Sequence, residues 1–127
     1  MVVSRWVSLS TFAHLRFNID LHDSATTAED IAMVNRCLSK HRIRTTHLGE
    51  NNIFVNGGHL NIHLDSSSRI TARLNVSGRH TSLRIPVVLS VRDYFLAQHA
   101  VTLADDHTPL YVIGIYKYPV DVLEIEY

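Results

Sequence analysis

Asn56-Gly57 stands between two stretches of alternating apolar and polar residues, and no other feature restricts the fold of this chain as much. A type I′ turn needs positive φ at both central residues, which Asn-Gly supplies readily, so the dipeptide predicts a two-residue β-hairpin. That turn would pair Val55 with Gly58, Phe54 with His59, Ile53 with Leu60 and Glu50 with His63. A three-residue turn would pair Phe54 with Leu60 but Ile53 with Asn61 and mix the faces, so the shorter turn is expected. Leu60, Ile62 and Leu64 then face the core, while His59, Asn61, His63 and Asp65 form one outward row. A loop of Ser66-Ser67-Ser68 would return the chain with Asp65 against Arg69, Leu64 against Ile70, His63 against Thr71 and Asn61 against Arg73. A loop one residue longer would set Leu64 against Arg69, which breaks the apolar face.

The remaining elements follow from hydrophobic period. "HLRFNIDL" alternates Leu15, Phe17, Ile19 and Leu21 with polar residues and reads as a strand. "TTAEDIAMVNRCLSKH" changes to helical spacing. Thr26 and Glu29 have capping-box spacing, Ile31, Val34, Cys37 and Leu38 form a stripe, and Lys40 and His41 suit the negative end of the dipole. "RITARLNV" places Ile70, Ala72, Leu74 and Val76 inward. "TSLRIPVVL" follows a Ser77-Gly78 turn as a strand whose Pro86 marks an edge or a bulge. "SVRDYFLAQHAVTL" reads as a second helix, capped by Ser90 and Asp93, burying Phe95, Leu96, Ala100 and Leu103. "LYVIGIYKY" is apolar on both faces and suits a covered central strand, and Pro119 separates it from a last strand, "VDVLEIEY". The expected architecture is α+β: one domain over residues 1–127, a mostly antiparallel sheet in the order β-α-β-β-β-β-α-β-β, and two helices on its apolar side. A further strand near residues 5–12 is weaker.

With 127 residues, 46% of them hydrophobic and 19% charged, the chain is long enough for one well-filled core. Twelve Lys+Arg balance twelve Asp+Glu, which gives no electrostatic reason to expect nucleic acid or an anionic membrane. The single cysteine, Cys37, rules out an internal disulfide and reads as a small core residue. "MVVSRWVSLSTFAHL" lacks the apolar run and cleavage site of a signal peptide, and no apolar run approaches the ~20 residues of a membrane span. Asn75-Val76-Ser77 matches a glycosylation acceptor, which carries no meaning without secretion. The expectation is a cytoplasmic protein, or one of host cytoplasm or virion, since small domains of this kind are common in viruses, phages and mobile elements.

His59 and His63 are spaced as zinc ligands on a helix would be. On a strand their Cα atoms stand about 13 Å apart, too far to share one ion. His63 opposite Glu50, with Asp65 nearby, leaves a weak cross-strand metal or hydrolase candidate, for which ordinary polar surface is the simpler account. His80-Thr81-Ser82 and His22-Asp23-Ser24 superficially resemble the His-x-Ser/Thr pairs of two-histidine phosphoesterases, but neither lies inside a strand. Asp105-Asp106-His107, before Thr108-Pro109, reads as a turn. No nucleotide-binding, nucleophile-elbow, Cys-x-x-Cys or zinc-protease motif occurs. A sheet face collecting Arg16, Asn18, His59, Asn61, His63, Arg69, Arg73 and Arg84 could meet single-stranded nucleic acid. It offers only Phe54 as a stacking platform, and Asp20, Glu50 and Asp65 dilute its charge.

These readings favour a non-enzymatic protein-binding or assembly module, without cofactor or metal. It would meet a protein partner, or a second copy of itself, through an exposed edge or the face of Glu50, His59, Asn61, His63, Asp65, Arg69, Thr71 and Arg73. The alternatives are a small hydrolase or ligand-binding domain built on His63 with Glu50 or Asp65, and a weak single-strand binder.

Overall fold

The chain is an α+β protein, and the computed structural model describes residues 5–77, 82–103 and 107–127. Outside the described residues lie Gly78, His80, Thr81 and Asp105-Asp106, and with them the side chains at 75–77 and 82–84, including Val76, Ser82 and Arg84. The described elements are β1 (Trp6–Ser8), α1 (Leu9–Phe17), α2 (Ala28–Leu38), β2 (Ile43–Thr45), β3 (His59–Asn61), β4 (Arg69–Ser77), β5 (Ser82–Ser90), α3 (Val91–His99), β6 (Leu110–Ile113), β7 (Tyr116–Tyr118) and β8 (Leu123–Glu126). Short 3₁₀ turns cover Gly49–Asn51 and Val120–Val122. All described pairings are antiparallel, and the strands form three small sheets: β1-β8-β2, β3-β6-β7 and β4-β5.

The first departure from expectation is α1, where a strand over 14–21 was predicted. Ser8 accepts a hydrogen bond from the Thr11 N–H at 3.1 Å, which caps the helix. Asn18 closes it in the left-handed region (φ 55°), and the Ile19 N–H reaches back to the Ala13 carbonyl. Leu9, Phe12 and Ala13 are fully buried and Phe17 packs beside them, at helical spacing. The alternation that suggested a strand breaks at Leu15, which is 55% exposed. In α2 the expected stripe is present, with Ile31, Val34 and Leu38 buried and Cys37 half-buried against the core. Its capping box is formed by Thr27 and Asp30, one residue later than Thr26 and Glu29.

The second departure is at Asn56-Gly57. The turn exists, but only Gly57 has positive φ (95°), whereas a type I′ hairpin needs both central residues there. Its two flanks part into different sheets. Val55 donates its N–H to the Ile43 carbonyl, Thr45 donates to Ile53, and Phe54 bridges to Arg44. On the other side, β3 pairs with β6, setting His59 against Val112 and Asn61 against Leu110. Side chains hold the two flanks apart. Asn56 accepts the Ile43 N–H and donates to the His41 carbonyl, at 3.2 and 2.8 Å. The buried Tyr111 hydroxyl accepts the Gly58 N–H at 3.0 Å and donates to the Val55 carbonyl. Beyond Asn61 the strand ends in a turn, with the Leu64 N–H on the Asn61 carbonyl, so Ile62 is partly exposed rather than in the core. Asp65–Ser68 form another turn, with the Ser68 N–H on the Asp65 carbonyl, so the predicted pairing of 61–65 with 69–73 does not occur.

β4 does alternate as expected: Arg69, Thr71 and Arg73 are exposed while Ile70, Ala72 and Leu74 are half-buried. Its partner is β5, with Pro86 opposite Arg73. Ser90 caps α3 by accepting the Asp93 N–H, and Val91 and Phe95 are buried, although Leu96 and Ala100 are exposed. "YVIGIY" is not one strand. Gly114 (φ 59°) and Ile115 form a two-residue turn joining β6 to β7, with glycine first as in a type II′ hairpin. The main core lies where α1, α2 and the sheets of β8 and β6 meet: Phe12, Val34, Ile43, Leu60, Leu110, Tyr111, Leu123 and Ile125 are each fully or almost fully buried.

Candidate binding cleft

The loop after β2 begins the site. Thr45 is fully buried and its hydroxyl accepts the Ile53 N–H at 3.0 Å. Asn52 Oδ1 accepts the Leu48 N–H at 2.9 Å, which fixes the chain on either side of His47. The His47 ring packs edge-on to His99 (4.7 Å between centroids) and also meets Phe95 and Tyr118. Tyr94 packs on both Phe95 and His99, and Tyr116 stacks with Tyr118 at 6.4 Å. These rings come from the loop, from α3 and from β7, and form one aromatic floor.

Above that floor lies a cleft of about 570 Å³, within the range of natural ligand sites. One wall is the consecutive stretch Arg69, Ile70, Thr71, Ala72 and Arg73 of β4; the other is Ile115, Tyr116, Lys117 and Tyr118. Consecutive residues of a strand point to opposite faces, so a wall made of five in a row is an edge of the strand rather than a face. Among the described residues β4 pairs only with β5, and β7 only with β6, so both walls are open edges.

The electrostatics are one-sided. Arg69, Arg73 and Lys117 line the cleft, and no Asp or Glu does among the described residues. Burial, with the nearby His99 next in size, lowers the His47 pKa to about 4, and burial also lowers that of His99. Both imidazoles are therefore neutral at pH 7. Burial, followed by Tyr116 and Tyr94, raises the Tyr118 pKa, which leaves its phenol as a hydroxyl. The Nδ1 atom of His47 is buried without a hydrogen-bond partner. Three basic side chains, neutral rings and strand edges unpaired among the described residues suit the binding of an extended, anionic chain. Among the described residues no carboxylate lines the cleft beside either histidine.

Of the residues singled out from the sequence, Arg69, Thr71 and Arg73 meet at this cleft. The other five do not form a common face with them. His59 and Asn61 lie in β3, His63 and Asp65 in the following turns, and Glu50 in the Gly49–Asn51 turn. Asp65 is engaged by its own turn, accepting from the Ser67 N–H and hydroxyl. No ladder sets Glu50 opposite His63, and among the described residues no three His, Cys, Asp or Glu are placed to hold a metal ion. His47, His99, Tyr94, Tyr116, Lys117 and Tyr118 were missed. The Tyr-Lys-Tyr alternation at 116–118 was the available signal, obscured by reading "YVIGIYKY" as one covered strand.

Two other clusters do not line the cleft. His22 Nε2 faces both Ser10 Oγ (3.1 Å) and Asp121 Oδ1 (3.5 Å), while Nδ1 meets Thr108 Oγ1 (2.8 Å). A nucleophile relay needs serine and carboxylate on opposite ring nitrogens, so this arrangement instead ties α1 to the Val120–Val122 turn. On the outer face of β1-β8-β2, Arg44 lies over Trp6 at 4.0 Å and Arg42 over Phe54 at 4.3 Å. Glu124 accepts from Arg44, and Glu126 lies 3.6 Å from Arg42. The stacking platform expected in Phe54 thus has one face met by a guanidinium of its own chain, while the side chain stays 56% exposed.

No helix among the described residues is long and apolar enough to cross a membrane. In comparisons with known proteins, no family model and no curated protein matches the chain.

Proposed function

We propose that the protein is a non-enzymatic binding module that receives a protein partner in the cleft between β4 and β7. One observation carries this reading: two open strand edges face a single cationic cleft floored by aromatic rings. Backbone groups of an edge strand remain available to another chain, and aromatic surface supplies contact area at little entropic cost. A location inside the cell accords with it, since Cys37 can remain a thiol there.

The test is to select peptides from a random display library on the full chain, then map selected ligands by amide shifts. Selected peptides are expected to perturb Thr71 and Lys117 and to bind at least tenfold more weakly to Arg73→Glu. Ligands that map only to the Trp6–Phe54 face, or a library that yields no binder, would overturn the reading.

Self-association is the second reading, favoured by Val88 and Ile115, which are 62% and 82% exposed. Sedimentation at micromolar concentration decides it: a dimer that Val88→Lys dissociates supports it, and a monomer removes it.

A further inference from the structure

We propose that the occupant of the cleft is an acidic, extended segment of another protein, inserted as a strand between β4 and β7. This rests on the reading that the cleft receives a partner, and adds what that partner must look like.

The ladder register shows which peptide groups are free to pair. The Val91 N–H donates to the Ser68 carbonyl at 3.0 Å, continuing the register in which Arg69 stands opposite Ser90. Antiparallel pairs alternate between hydrogen-bonded and non-hydrogen-bonded. With 68 and 91 bonded, the pairs Ile70–Leu89 and Ala72–Val87 are bonded as well, while Arg69, Thr71 and Arg73 direct their N–H and C=O away from β5. Pro86 agrees with this phase: it has no N–H to give, and it stands opposite Arg73 at a non-hydrogen-bonded position.

The same reasoning applies to β7. A two-residue turn at Gly114-Ile115 makes Ile113–Tyr116 a bonded pair, with Tyr111–Tyr118 the next. Lys117 lies between them and turns its peptide groups away from β6. Arg69, Thr71 and Arg73 on one side and Lys117 on the other therefore present donors and acceptors at the cleft that no strand pairs among the described residues. An inserted strand would pair with both edges and join two sheets into one, in the order β3-β6-β7-segment-β4-β5.

Charge selects the segment. Three of the four residues that offer peptide groups are cationic, and among the described residues no carboxylate lines the cleft. An acidic segment is matched there and a basic one repelled. A second copy docking edge to edge would bring its own Arg69, Arg73 and Lys117 against the first, which opposes pairing of like edges.

The test titrates the full chain with fluorescently labelled Val-Glu-Val-Glu-Val-Glu, its Lys counterpart, and the acidic peptide N-methylated at alternate residues. The acidic peptide is expected to bind at least tenfold more tightly than either control. Thr71→Pro removes an outward N–H and spares the ladder to β5, and should weaken binding at least tenfold with an unchanged circular dichroism spectrum. Arg69→Glu with Arg73→Glu should reverse the preference between the acidic and basic peptides. Equal binding of the N-methylated peptide, which does not depend on any variant folding, overturns strand insertion. Selected peptides that occupy the cleft but are not displaced by the acidic peptide overturn the inference and leave the binding reading standing. Absence of any ligand from the cleft overturns both.

Discussion

The Tyr111 hydroxyl sits between the Gly58 N–H and the Val55 carbonyl, and the residue beside it has no room to grow. A Cβ on Gly58 would stand 2.6 Å from both Tyr111 Cζ and the Val112 carbonyl oxygen, and the latter is backbone that cannot swing aside. Gly58→Ala is expected to destabilise the protein by about 1–3 kcal/mol in urea unfolding. Tyr111→Phe should lose about 1–3 kcal/mol, because it leaves the half-buried Gly58 N–H and the buried Val55 carbonyl unmatched. The two effects share one contact and should not add in the double variant. His47 makes a second prediction. Its folded pKa, about 4, lies below the ordinary 6.5, so as the pH falls the unfolded chain takes up this proton first. Stability should be lost as the pH drops from 6.5 towards 4 and level off below. Allowing for screening by partial exposure, the loss is about 1–2 kcal/mol. Melting temperatures from pH 7.5 to 4.5 check this, and His47→Gln should flatten the slope.

Among the elements, α3 ends less favourably than it might. Ala100 holds the left-handed closing position at φ 55°, where a Cβ is strained, and its N–H bonds to the Leu96 carbonyl. Ala100→Gly should stabilise by about 0.5–1 kcal/mol and raise the melting temperature by a few degrees. Asn18, which closes α1 in the same way, should gain less from glycine because asparagine already tolerates that conformation. Elements with one strong local signal were legible in the sequence: α2 by its stripe, β4 by its alternation, α3 by Ser90 and Asp93. α1 was misread because Leu15, Phe17, Ile19 and Leu21 alternate while Leu9, Phe12, Ala13 and Phe17 also fit a helix. Ser8 and Asn18 settled that contest, and neither stands out unless a helix is already suspected. The Asn56-Gly57 hairpin failed for a different reason: Tyr111, distant in sequence, supplies bonds that local pairing would otherwise have made.

At the scale of the whole molecule, zero net charge concealed an uneven distribution. Arg42 and Arg44 are spent on Glu124, Glu126 and two rings, while Arg69, Arg73 and Lys117 share a cleft lined by no acid among the described residues. Composition averages over both regions, so the cationic cleft could not be read from it. Arg69, Thr71 and Arg73 were singled out because β4 alternates, but their partners across the cleft depend on how three sheets are arranged. The two hydrogen bonds of Asn56 also bear on how the protein ages. An asparagine before glycine is the pair most open to attack on its side-chain amide by the next backbone nitrogen, which converts it to aspartate or its β-linked isomer. In the folded chain that amide is engaged by Ile43 and His41. Once converted, the carboxylate could still accept the Ile43 N–H but would have no hydrogen to offer the His41 carbonyl, and the chain entering β2 would lose that tether. Intact folding thus protects its own chemistry, and each molecule that loosens here brings forward the damage that loosens it further.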